Sequence, residues 1–124
     1  MTALIASKIE LLPAPNAPQA QGNTLDRDQF GDAFLLNVAY PDKAKGQQVD
    51  FTFEVHVDRF SPAITLSARF TTEHDKEEQL RFASTIFDYN TKDGWVLIRY
   101  DAKIAEVSKP SSTLHLLIKN RTDA

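Results

Sequence analysis

Histidine is the side chain best suited to proton transfer or metal ligation near neutral pH, and this chain carries three, His56, His74 and His115. They lie far apart and none stands in an i, i+4 pair with another, so a metal site would need carboxylates supplied by the fold. His56 falls on the polar parity of an alternating segment and reads as a solvated surface residue. Glu73-His74-Asp75 has ligand-type side chains, but it continues into Lys76, Glu77 and Glu78 and reads as a charged surface turn. Carboxylates are plentiful, yet no spacing singles out an acid/base pair, because the separation such a pair needs is spatial. The serines from Ser61 to Ser112 lack the Gly-x-Ser-x-Gly elbow that exposes a nucleophile. Gly22, Gly31, Gly46 and Gly94 are scattered and compose neither a phosphate loop nor a dinucleotide turn. Cysteine is absent, which removes disulfides, thiolate catalysis and Cys-based zinc sites. The reading is therefore of a non-enzymatic chain with no catalytic residue, metal ligand or cofactor assigned.

Aromatic residues offer a different chemistry, that of apolar anchors. Eight Phe, three Tyr and one Trp exceed what a small core usually holds. Phe60 sits at a turn beside Arg59 and Pro62, and Trp95 follows Asp93-Gly94. If exposed, either ring anchors a peptide or a partner subunit; folded back, it completes the core. These two are the candidate polypeptide-binding residues.

The hydropathy pattern predicts the elements that carry them. From Val49 to Asp58 the chain alternates without a slip, with Val49, Phe51, Phe53, Val55 and Val57 on one parity and Asp50, Thr52, Glu54, His56 and Asp58 on the other. That period belongs to a strand with one buried face, as in an antiparallel sheet wet on one side. Ala33 to Tyr40 predicts a strand ahead of it, with Pro41 to Gly46 as a hairpin turn between them. Arg59 to Pro62 turns the chain into a further strand carrying Ile64, Leu66, Ala68 and Phe70 on one face, which completes a meander.

The flanking regions are less regular. Residues 3–12 predict a first strand that Pro13 stops. From Pro13 the Pro-rich run and the link to Asp32, roughly twenty residues, should be extended or irregular, either a functional loop or a spacer covering an edge strand, and the spacer is preferred. Residues 80–89 fit both periods and are read as a helix capped by Thr72. Leu97, Tyr100, Ile104 and Val107 recur at spacings of three and four between an Asp93 N-cap and Pro110, which predicts a helix over 94–108. A competing reading makes Trp95 to Tyr100 a strand. Thr113 to Lys119 closes the chain as a short strand. The expected fold class is α+β, an antiparallel sheet of about four strands with helices on one side, in a single domain over residues 1–124. The alternative is an all-β sandwich.

A formal charge of −3, with fourteen basic residues dispersed among seventeen acidic ones, supplies no positive stripe for phosphates, so nucleic acid is not an expected partner. No stretch approaches the roughly 20 apolar residues of a membrane helix, and the opening residues make a poor signal peptide, so no membrane insertion and a cytoplasmic location are expected.

Ile9 to Pro18 resembles the first strand and following Ala-Pro-Asn-Ala-Pro turn of SecB, the bacterial export chaperone family; the specific match is Ala14 to Pro18. The order of elements after it is also similar, although the chain is shorter, the family's final helix is missing and residues 90–120 match no family motif. The resemblance implies an α+β fold with a four-stranded antiparallel sheet, assembly into a homo-oligomer, and binding of unfolded or extended polypeptide along apolar grooves. The rival is an all-β structural or interaction subunit of a phage or secretion assembly.

Overall fold

In the computed structural model, residues 11–29, 31–87 and 94–119 are described. The unbroken alternation becomes β3 (Gln48–His56), whose Val49, Phe51, Phe53 and Val55 are at most 2% exposed while Asp50, Thr52, Glu54 and His56 are half-exposed. Seven further strands are described: β1 (Thr24–Asp26), β2 (Ala33–Val38), β4 (Ile64–Thr71), β5 (Glu78–Ala83), β6 (Gly94–Ile104), β7 (Val107–Pro110) and β8 (Leu114–Lys119). The larger sheet has the order β1-β8-β6-β3-β4, with β7 pairing on β6 alongside β8, and β2 and β5 form a second, antiparallel sheet. The two sheets share one core, in which Phe82 of β5 meets Phe51 and Phe53 of β3 edge-on at 5.5 and 5.1 Å.

The expected α+β class is corrected by these strands. No α-helix occurs among the described residues, and the all-β sandwich is the reading consistent with the structure. The helix expected over 94–108 is β6 and a hairpin into β7. Val96, Ile98, Tyr100, Ala102 and Ile104 form its buried row, a period of two that apolar Trp95 and Leu97 on the other parity disguise. The hairpin turn is Ala105-Glu106, both at positive φ (51° and 69°), without the Asn or Gly that normally announces such a turn. Residues 80–87 of the second expected helix are not an α-helix either: β5 runs to Ala83 and a single 3-10 turn (Ser84–Phe87) follows, while Tyr89 and Asp93 lie outside the described residues. Thr72 is a buried bridge rather than a cap, its Oγ1 accepting from the Gln47 amide at 2.8 Å and donating to the Ala44 carbonyl at 2.5 Å.

The expected meander holds for β3 and β4, which pair over eight residues, but not for β2, which pairs with β5. Pro41 to Gly46 therefore carries the chain from one sheet to the other rather than round a hairpin. The strand expected over 3–12 falls outside the described residues except for Leu11 and Leu12, and Leu12 bridges Ser111 in parallel. The Pro-rich run lies along β2. Asn16 exchanges backbone hydrogen bonds with Asn37 at 3.0 and 2.7 Å, and the Gln19 side-chain amide donates to the Ala33 carbonyl and accepts from the Leu35 amide at 3.0 and 2.8 Å. A segment that cannot form a regular ladder thus covers an edge strand with a few selected bonds.

Candidate functional site

The loop after β3 is built by one carboxylate. Asp58 Oδ1 accepts hydrogen bonds from the Phe60 and Ser61 amides at 2.8 and 2.7 Å, and its Oδ2 accepts from the Ser61 hydroxyl at 3.2 Å. This Asx turn holds the loop in a shape that leaves Phe60 94% exposed. Trp95, second residue of β6, has outward parity, and the register sets it between His56 of β3 and Leu117 of β8. Its indole lies flat on the His56 imidazole, 4.9 Å between centroids at 9°. His56 Nε2 is 2.9 Å from Glu54 Oε1, and the other Glu54 oxygen is 3.7 Å from an Arg99 guanidinium nitrogen. Underpinned in this way, the half-buried indole presents its remaining surface beside Leu117, which is 51% exposed.

Phe60, Trp95 and Leu117 converge on a groove of about 540 Å³ whose accessible wall is mostly apolar. Asp58, Arg59 and Lys119 give its rim charges of both signs. Both sequence candidates thus line one groove, although they are distant in the chain. Leu117 escaped the sequence reading. Its signal is the loss of alternation over Leu114 to Ile118: a strand apolar on both parities carries apolar surface beyond what its core face needs.

The histidines stay apart. His56 is under Trp95, His115 is exposed on β8 opposite Leu97, and His74 lies in the turn before β5, its Nδ1 accepting from the Lys76 amide at 3.3 Å. Among the described residues no group of three or more metal-ligating side chains converges.

A second polar cluster lies inside the protein, where the chain passes between sheets. Glu78 occupies an inward position of β5 opposite Val38, and there it forms an ion pair with buried Lys43. Lys43 Nζ also donates to the His74 carbonyl at 2.6 Å, and the second Glu78 oxygen accepts from the Glu73 amide at 2.7 Å. Burial alone would push the Glu78 carboxyl up, but the hydrogen bonds from Lys43 and Glu73, with the charges of Lys43 and His74, hold it below the usual 4.5. Beside it, burial and the Glu78 charge push the Tyr40 phenol up to about 12, and its hydroxyl donates to Gln47 Oε1 at 2.6 Å. Burial raises Tyr100 further, and its hydroxyl donates to the Pro13 carbonyl at 2.7 Å. The ion pair is buried and both Glu78 oxygens are occupied, so this cluster joins the two crossovers; a polar pocket of about 330 Å³ lined by Glu73, His74, Glu77 and Glu78 lies beside it.

No family model matches this chain, and no curated protein or solved structure matches it.

Proposed function

We propose that this chain is a non-catalytic interaction domain that binds an extended stretch of polypeptide in the groove of Phe60, Trp95 and Leu117. The observation that carries the reading is Phe60, almost wholly in water yet held there by the Asx turn of Asp58, beside two further apolar side chains. A phenylalanine without a binding role gains by folding back, because full burial of such a side chain is worth about 1.5–3 kcal/mol. Rigid, exposed aromatic anchors surrounded by a charged rim are the usual centre of a protein-binding surface. The mixed signs of Asp58, Arg59 and Lys119 favour a polypeptide of little net charge over a polyanion. The occupant is the one the Ala14 to Pro18 resemblance implies, an unfolded or extended chain, but the proposal rests on the groove, because the sandwich is not the fold of that resemblance. A second reading, a structural subunit of a larger assembly, is favoured by the outer edge of β4, which pairs with no strand among the described residues.

Trp95 is the sole tryptophan, so its emission reports the groove directly. Titration with a permanently unfolded, carboxymethylated protein should shift that emission saturably, and Phe60→Ala should weaken binding about tenfold or more. Unchanged emission up to about 0.1 mM client, or a Phe60→Ala variant that binds like the parent, overturns the proposal.

A further inference from the structure

We infer that β4 pairs edge to edge, antiparallel, with β4 of a second copy of this chain, making one continuous sheet across a two-fold axis at Ser67. The core is closed along most strands and open on one flank. Inward side chains of β2 and β3, Val96 and Ile98 of β6, and Leu116 and Ile118 of β8 are at most 2% exposed. On β4, by contrast, Ile64, Leu66, Ala68 and Phe70 are only half-buried, as are Leu80 and Phe82 of β5. These two strands are the outermost on the same flank, and a gap of about 290 Å³ lies between Ala68 and Phe70 on one side and Leu80 and Phe82 on the other.

Two other outer strands are protected in recognisable ways. Asn16 and Gln19 cover β2, and β1 has only three residues. β4 has eight, in regular register with β3 from Thr71 to Ile64, and contains no Pro, Gly, Lys, Asp or Glu. Such an edge is a template for another strand.

Its own sequence identifies the strand that fits. Antiparallel pairing about Ser67 keeps inward residues opposite inward residues, as a sheet requires. Ile64 then meets Phe70 of the second copy and Leu66 meets Ala68, so every half-buried apolar side chain of β4 gains an apolar neighbour. An aromatic ring opposite a β-branched residue is a favourable cross-strand pair. The one charged residue, Arg69, already bonded to Asp50 at 2.7 Å, faces Thr65 and never its own copy. The contact is isologous and closes as a dimer. It uses a different flank from the Phe60 groove, so loss of dimer and loss of polypeptide binding are separable.

Sedimentation velocity of the full chain from about 1 to about 200 µM should show conversion to twice the chain mass. The exposed Thr65 reads the register. Thr65→Lys places like charges opposite Arg69 at two symmetric sites and should raise the dimer dissociation constant about tenfold, whereas Thr65→Glu should lower it at low salt. Because the chain has no cysteine, Ser67→Cys gives a second readout independent of affinity. Opposed residues of antiparallel strands lie about 4.5–5.5 Å apart, within disulfide range, so mild oxidation should link Ser67→Cys into a covalent dimer and leave Thr65→Cys unlinked. A monomer throughout the concentration range, equal effects of Lys and Glu at position 65, or crosslinking of both cysteine variants alike would each overturn the inference.

Discussion

The two ends of the β3–β4 pair invert the usual placement of side chains in opposite senses. At the end where Gln48 faces Thr71, the chain encloses a lysine and a glutamate; at the end where Val55 faces Ile64, it leaves a phenylalanine in water. Both arrangements are costly, but the compensation differs. The charges of Lys43 and Glu78 satisfy one another and the adjoining backbone, and in doing so they join the two crossovers between the sheets. Phe60 has no comparable compensation among the described residues, since the Asx turn fixes its position and leaves its ring exposed. A buried polar group with occupied bonds is evidence of architecture, whereas an apolar group held exposed on a rigid turn is evidence of a partner.

Substitutions at each end separate these roles. The largest effect is expected from Glu78→Ala, which leaves Lys43 buried without its carboxylate and should cost about 3–5 kcal/mol in a denaturant titration. Joint replacement, Lys43→Met with Glu78→Leu, should recover most of that loss; a double variant as unstable as the single would refute the view of this pair as mutual compensation. The same pair has a pH signature. Because the folded Glu78 pKa is below its unfolded value near 4.5, its contribution is complete above that value and disappears as the pH falls through the lowered folded one. The double variant should therefore lose stability less steeply than the parent below about pH 4.5. At the other end, Trp95→Ala should cost about 1 kcal/mol through the lost stacking on His56. Phe60→Ala should change stability by no more than about 0.5 kcal/mol while impairing client binding. A large fall in melting temperature for Phe60→Ala would make that end architectural as well.

Legibility followed the chemistry of each segment. In β3 a strict period of two assigned every face correctly, because alternation of Phe and Val with Asp and Glu admits one half-buried geometry. In β6 the same period was hidden, since Trp95 and Leu97 serve the outer face with apolar residues and mimic a helical stripe with Tyr100 and Ile104. The Ala105-Glu106 turn carried no residue that advertises positive φ. Phe60 was recognisable as an aromatic residue at a predicted turn and Trp95 as one that follows Asp93-Gly94, but the groove also needed Leu117.

By itself, the order of residues determined the strands that became β2, β3, β4 and β8, which side of β3 and β4 is apolar, and which aromatic rings were candidates for exposure. These are local properties, set by side-chain period and by the backbone limits of Pro and Gly. Only the tertiary structure decided that β2 leaves β3 for β5, that Glu78 meets Lys43 inside, and that three distant apolar residues share one groove. Strand partners are chosen by the total burial of two sheets at once, and no segment of the chain carries that sum.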